Sequence, residues 1–490
     1  MTNTKASKKR KRNAQNNVPA PKIQKVSGSA PLSPDPSLPS SAEETIAPKN
    51  LQTLISDEEM ELTVDTLLTL AKYPAIIKSK PCKNLRAAVY DFKQACTTGA
   101  NASADTSLTA RISGALTDGK YTDALILLAE MRIRGEAPKL GALCRWVRDL
   151  DVVSGVCVQD NSSEVSVSRT TNDLKRMKVL DAVLRVTGPL DTHSSSFSTS
   201  NPIVQQKLWN LRDEGTKRLH VRESVLDRSI FASQKQSYAD KFQNIEETPG
   251  PQRKPPNHHP AIVYLTSDNT VPLSDTKPST THNKHPHVPN LSLLKNVLST
   301  EECRSIIAAT ETIGFLPDAP IKDDGSESSI LAHNVYWMID QAFHDKLWER
   351  VQPFIPEVAG KKALSINRRF RVYRYVPGAE YRCHIDGAWP PSGIHPVTKA
   401  YQYDSSPANA KQSSLFTFLI YLNDEFEGGE TTFFIPSVVE GVMNAYPVNP
   451  VMGSVAMFPH GETKGALLHE GTGVRKGAKY VIRTDVEYAL

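Results

Sequence analysis

The sequence predicts an α+β protein: a strand-rich C-terminal portion braced by helices, preceded by a mainly α-helical region and a disordered basic tail. Three observations predict it. Apolar residues recur at helical spacing between about 51 and 245. Beyond 291, short runs rich in Val, Ile, Phe and Tyr alternate with Gly-containing turns. The first 50 residues combine a KKRKR run with seven prolines and few aromatics, too little apolar surface to offset the entropy of ordering. With 490 residues the chain has room for several domains.

The basic excess is confined to the tail. Residues 1–25 contain eight Lys or Arg and no acid, against a whole-chain charge of +5, so the rest carries −3. Bulk charge therefore gives the body no nucleic-acid-binding surface. Five consecutive basic residues, Lys8 to Arg12, suit a nuclear-import signal. No run of 18 apolar residues exists, and the polar N-terminus lacks the apolar segment of a secretion signal. The expectation is an intracellular protein, in the nucleus rather than the cytoplasm, and not in a membrane. Six cysteines without C-x-x-C spacing read as thiols, not as a disulfide framework or zinc finger.

Within 51–245 the clearest unit is YTDALILLAEMRIRGEAPKLGALCRWVRDL. Thr122 or Asp123 is expected to cap a helix, Gly135 to end it and Pro138 to begin another. Ala124, Leu128, Met131, Gly135 and Pro138 resemble one pentatricopeptide-type repeat, but without tandem copies a helical hairpin is the better reading. Polar stretches near 158–172 and 188–201 read as loops. Residues 246–290, rich in Pro, Thr, Asn and His, read largely as a linker whose five histidines (His258, His259, His282, His285, His287) carry no chemistry. AIVYLT at 261–266 is expected to be a stray strand that returns to the next domain.

From 291 onward, STEECRSIIAATETIG and QAFHDKLWERVQPFI are expected helices, the first with Ser299 and Glu302 as a capping box. Expected strands are 370–376, 381–386, 414–424, 431–435, 454–459 and 479–486, and helices behind short strands suggest a β-sandwich or barrel. His384 and Asp386, two positions apart, would share a strand face about 7 Å apart at Cα, so an imidazole and a carboxylate can meet at one cation. Downstream, His469 and Lys479 supply a further imidazole and a cation.

Three segments, YRYVPGAEYRCHID (373–386), FLIYLNDEFEGGETTFF (418–434) and FPHGETKGALLHEGTGVRKGAKYVIRTDVEY (458–488), resemble the 2-oxoglutarate- and Fe(II)-dependent oxygenase domain of the prolyl 4-hydroxylase family. The resemblance implies a double-stranded β-helix (jelly-roll) domain over 291–490. It implies Fe(II) held by His384, Asp386 and His469, with no catalytic residue beyond these ligands. It further implies 2-oxoglutarate and O2 as cosubstrates, with ascorbate a candidate addition. The Lys ten residues after the distal His, Lys479, would hold the cosubstrate's distal carboxylate, with Arg483 on the same strand face as runner-up anchor. Tyr375 matches the family's cosubstrate-binding Tyr, and Tyr421 is a weaker candidate. Two imidazoles and a carboxylate on one face of iron leave positions open for cosubstrate and O2, and decarboxylation to succinate provides the oxidant for a substrate C–H bond.

Three features nearby fit the chemistry on paper but not in context. His460-Gly-Glu462 lacks an onward partner. Cys383 should face away from His384 and pack, and His395 should lie at the surface. The insertion 387–412, with Trp389, Pro390, Pro391, Tyr401 and Tyr403, reads as a flap that grips a peptide. The expected function is thus a dioxygenase hydroxylating a protein side chain, proline foremost. Alternatives are a nucleic-acid demethylating dioxygenase, for which the tail would anchor a polyanion, and a helical interaction protein, residues 51–245 meeting a protein partner, with a vestigial oxygenase.

Overall fold

The computed structural model describes residues 54–97, 107–156, 169–193, 197–199, 201–232, 238–254, 256–321, 332–461 and 463–490. The basic tail at 1–50, part of the polar stretch at 158–172 and Glu462 lie outside them. The chain divides into two compact units, residues 1–86 and 87–490. In the first, Ser56 and Glu59 form a capping box that opens helix Asp57–Ala71, on which Leu62, Leu67 and Leu68 are exposed. Among the described residues no helix is long and apolar enough to cross a membrane.

The second unit is built on two sheets. The larger has ten strands, with Lys479–Ala489 at its centre between Arg369–Tyr375 and Gln412–Tyr421. The smaller has five, in the order Ile203–Gln205, Met443–Val448, Thr431–Pro436, Leu468–Gly471, Tyr381–His384. Side chains of both sheets share an apolar cluster that includes Phe433, Ile435, Tyr446, Val448 and Phe458, the interior of a jelly-roll sandwich. Period-2 alternation sorts the central strand. Tyr480, Ile482, Val486 and Tyr488 enter the core beneath helices Thr300–Ile313 and Gln341–Val351, whereas Lys479, Val481, Arg483 and Asp485 occupy the alternate positions.

Ser299 caps Thr300–Ile313 and Glu302 completes its box, as the sequence indicates. Glu302 also accepts both Nη atoms of Arg350, at 2.9 and 2.8 Å, in a pair buried from solvent. Helices Tyr121–Ile133 and Leu140–Asp149 form where expected, with Gly135 at positive φ between them, but they do not pack on each other as a hairpin: Tyr121–Ile133 lies against helices Leu108–Thr117 and Thr171–Thr187. The cap position, however, is Lys120 without a side-chain bond. Thr122 and Asp123 lie inside the first turn, and Pro138 precedes the second helix by two residues.

Two boundaries differ from expectation. Residues 246–290 are not largely a linker. Strands Phe242–Thr248, Ala261–Thr266 and Thr281–Lys284 lie within the larger sheet. Their polar composition reflects their place near the sheet's two ends, where side chains face water. His285 is buried there, its ring against Trp209 and Tyr446. Nor is 51–245 helical throughout or separate: Ile203–Gln205 pairs in parallel with Met443–Val448. Trp146, Val147, Leu180 and Leu184 share one core with Cys383, Ile385, Met443 and Leu468 of the smaller sheet. Helices therefore cover the outer face of each sheet.

Candidate metal centre and cosubstrate pocket

Antiparallel pairing of Leu468–Gly471 with Tyr381–His384 sets His469 directly opposite His384, and cross-strand neighbours on one face approach closely. The two rings lie 4.3 Å apart. Asp386, just past the strand end, places Oδ1 3.5 Å from His384 Nε2 and Oδ2 3.6 Å from His469 Nε2. All three ligand atoms fall within 4.8 Å of one another. His384 Nδ1–H donates to Arg382 O (2.8 Å) and His469 Nδ1–H to Leu467 O (3.1 Å). A carbonyl only accepts, so each Nε2 carries a lone pair facing the cluster. Burial, followed by the neighbouring His384, pushes His469 down to about 3, keeping it a neutral donor. Burial alone would raise Asp386, but Arg483 and the two imidazoles hold it well below the usual carboxylate range. Two neutral imidazoles and one anionic carboxylate fit a divalent iron ion.

A polar chain behind Asp386 was not read from the sequence. Thr417 Oγ1–H donates to Asp386 Oδ2 (2.7 Å) and accepts from His460 Nδ1 (2.8 Å). His460 Nε2 in turn accepts from Ser414 Oγ (2.9 Å), and Ser414 Oγ accepts Trp389 N–H (2.9 Å) at the root of the insertion. His460, set aside for want of a partner, is thus buried one hydroxyl away from Asp386. The available signal was Thr417, a hydroxyl in SLFTFLIYL two positions before Leu419 and four before Tyr421 on one strand face. Tyr381 was also missed; its ring lies 3.8 Å from that of His384. Phe433 and Phe458 enclose His469. Cys383 packs into the helical core, as expected of the opposite face. His395 is half-buried, and its Nδ1 accepts two backbone N–H groups of its own turn.

Of the two cations considered as anchors, Arg483 is already engaged. Its Nε lies 3.2 Å from Asp386 Oδ1, and its Nη2 lies 3.1 Å from Asp485 Oδ1 and donates to Gly387 O (3.1 Å). Lys479 is buried, pairs in register with Tyr375, and gives one hydrogen bond, to Gly429 O (2.7 Å). Its Nζ stands over the rings of Tyr375 and Tyr421, 5.5 and 5.7 Å from their centroids. Burial pushes Lys479 down to about 8 despite the nearby Glu430. Tyr421 is occupied, its hydroxyl bonded to Thr431 Oγ1 at 2.8 Å. Gly428 and Gly429 both hold positive φ, and a Cβ on Gly428 would sit 2.2 Å from Gly473 O, so this carbonyl-presenting turn requires glycine.

A cavity of about 560 Å³ runs outward past Tyr375, Tyr381 and Arg483 to Trp389, Tyr401 and Tyr403 of the insertion. The insertion folds as a small hairpin, Gly393–Ile394 with Tyr401–Gln402. Asn367 Nδ2 donates to Pro390 O (2.9 Å), which ties the hairpin's root to the larger sheet.

A jelly roll with a two-histidine, one-carboxylate cluster between its sheets defines a non-haem iron oxygenase domain. Residues 370–484 match the family model described as the 2OG-Fe(II) oxygenase superfamily. Members of that superfamily use Fe(II), 2-oxoglutarate and O2, which the two imidazoles and one carboxylate here fit. Among solved structures, the chain is similar to a viral collagen prolyl hydroxylase from Paramecium Bursaria Chlorella virus-1, at 20% identity over 41% of this chain and 96% of that one, with a TM-score of 0.27. A Pseudomonas putida prolyl-4-hydroxylase matches at 16% identity over 41% and 92%, with a TM-score of 0.26. A Trichoplax adhaerens prolyl hydroxylase, in complex with a hypoxia inducible factor peptide fragment, matches at 14% identity over 41% and 83%, with a TM-score of 0.26. No curated protein matches the chain in sequence.

Proposed function

We propose that the protein hydroxylates a protein side chain, proline foremost, using iron held by His384, Asp386 and His469 and 2-oxoglutarate anchored by Lys479. The observation that carries this reading is the convergence of the three ligand atoms within 4.8 Å, beside Tyr381 and Arg483, which line an aromatic-walled cavity. When bound, iron with its two cosubstrates supplies an oxidant strong enough for an unactivated C–H bond, with succinate as coproduct. The chain supplies position and charge. Arg382 O and Leu467 O fix the tautomer and orientation of the two imidazoles. Thr417 and Arg483 hold the two oxygens of Asp386. Lys479 is a compact buried cation suited to a carboxylate at the closed end of a pocket, and Tyr375 and Tyr421 wall it in. Arg483, spent on Asp386 and Asp485, acts as a positioning residue rather than an anchor. The hairpin bearing Trp389, Tyr401 and Tyr403 lines the mouth, where an extended peptide would enter.

The test is succinate release from Fe(II), 2-oxoglutarate and libraries of peptides and oligonucleotides, with products located by mass spectrometry. Hydroxylated prolyl peptides support the reading. Turnover of oligonucleotides alone, or activity undiminished in His384→Ala, overturns it.

A further inference from the structure

We infer that Arg369 selects acidic peptides: the substrate carries an Asp or Glu two to three residues from the side chain that reacts. The inference rests on the peptide reading above and deepens it.

Strand Arg369–Tyr375 alternates. Phe370 and Val372 enter the helix-covered core, while Arg369, Arg371, Tyr373 and Tyr375 line the cavity. The cations of this wall differ in one respect, namely whether an acid already answers them. Arg371 and Arg253 both pair with Asp318, and Arg483 pairs with Asp386 and Asp485. Arg369 forms no ion pair and no side-chain hydrogen bond with any described residue; Asp485, already paired with Arg483, acts on it only through space, and its Nε is shielded from solvent without a hydrogen-bond partner. Its guanidinium is nevertheless held in place, 4.8 Å over the ring of Tyr336 and 5.0 Å over that of Trp389. A guanidinium fixed between two rings keeps its N–H edge open, and that edge is a planar fork matched to a carboxylate.

Register gives the spacing. Arg371 lies opposite Arg483, whose guanidinium touches Asp386. Arg369 is two residues farther along, about 7 Å, which an extended peptide spans in two to three residues at about 3.3 Å each. A phosphodiester backbone fits less well, because it needs a row of unanswered cations. Here Asp318 and Asp485 already neutralise most of the wall, and only the exposed Lys254 at the rim adds to Arg369. The faces of Tyr336 and Trp389 are also covered by Arg369 rather than open to stacking bases.

The experiment uses the full chain and fluorescein-labelled proline peptides with Asp, Asn, Glu or Gln placed at successive positions around the proline. Binding is read by fluorescence anisotropy and turnover by mass spectrometry. An acid two to three residues from the proline should tighten binding about 10- to 100-fold over its amide. Arg369→Gln should raise KM for the acidic peptide to that of the amide, and Arg369→Glu should shift preference to a Lys-containing peptide. A 2-oxoglutarate-induced thermal shift reports whether each variant is folded. If a variant is not folded, the wild-type acid-to-amide comparison decides alone. Equal binding of acid and amide peptides by the wild type overturns the inference while leaving peptide hydroxylation intact. Turnover of oligonucleotides and of no peptide overturns the underlying reading instead.

Discussion

Replacing Lys479 with Met removes a buried cation while keeping most of its length, and two measurements should move in opposite directions. Burial lowers this ammonium from its ordinary 10.5 to about 8. At about 1.36 kcal/mol per pH unit, its charged form costs the cosubstrate-free protein about 3 kcal/mol below pH 8. Met forfeits the hydrogen bond to Gly429 O, worth about 1 kcal/mol net. The variant should therefore gain about 2 kcal/mol, a rise of a few degrees in Tm. Cosubstrate affinity should collapse, because deleting one member of a buried ion pair costs about 3–5 kcal/mol, at least about 100-fold. The pH dependence follows from the same proton. The free folded chain loses it near pH 8, whereas the unfolded chain keeps it to 10.5 and the complex with a dianion retains it. Wild-type stability without cosubstrate should thus rise between those values, and 2-oxoglutarate affinity should fall by up to about tenfold per pH unit above 8. The Met variant should show neither trend. Differential scanning fluorimetry of both proteins, with and without 2-oxoglutarate from pH 6 to 10, measures all of this. A less stable variant that keeps its 2-oxoglutarate-induced shift would refute the assignment and return the anchor role to Arg483.

Thr417→Val should cut metal affinity about 10- to 100-fold, measured by metal titration, since it strips Asp386 of its hydroxyl donor and leaves the His460 Nδ1–H unanswered. Glu302→Ala should cost about 3–5 kcal/mol in chemical denaturation, because it strands the buried guanidinium of Arg350; Glu302→Gln should cost less. Deleting residues 390–410 should weaken peptide binding by anisotropy while 2-oxoglutarate still binds; unchanged peptide affinity would remove the flap from the substrate's path. Neutralising Lys8 to Arg12 should abolish nuclear accumulation of a fluorescent fusion, and undiminished accumulation would show that the basic run is not an import signal.

The parts of the site that were legible were those written locally. His384 and Asp386 are two residues apart, Lys479 follows His469 by ten, and Ser299 and Glu302 announce their own cap. Thr417 and His460 were not legible, because their meaning depends on a register that joins residues 31 and 43 positions apart. Arg483 looked like an alternative anchor because strand parity puts it on the same face as Lys479. Parity does not reveal that Asp386 and Asp485 already occupy it. The polar stretch at 246–290 was misread since strands such as Thr281–Lys284, with one edge and most side chains in water, need no apolar alternation. The helical layer was recognised as helix, but the partner of its apolar face lies more than 200 residues away in sequence.

That layer makes the metal strands two-sided mechanical parts. His384 and His469 converge with Asp386 on one face, while their neighbours Cys383, Ile385 and Leu468 are seated among Trp146, Val147 and Leu184. A void behind such a strand cannot be absorbed without moving the residues on its front. Trp146→Ala, which should cost about 3–5 kcal/mol, would act on the spacing of two imidazoles it never touches. The smallest piece of this chain expected to grip iron tightly therefore begins upstream of helix Leu108–Thr117, more than 275 residues before His384 in sequence. Residues 291–490 alone hold every proposed ligand but lack the backing that sets the distances between them.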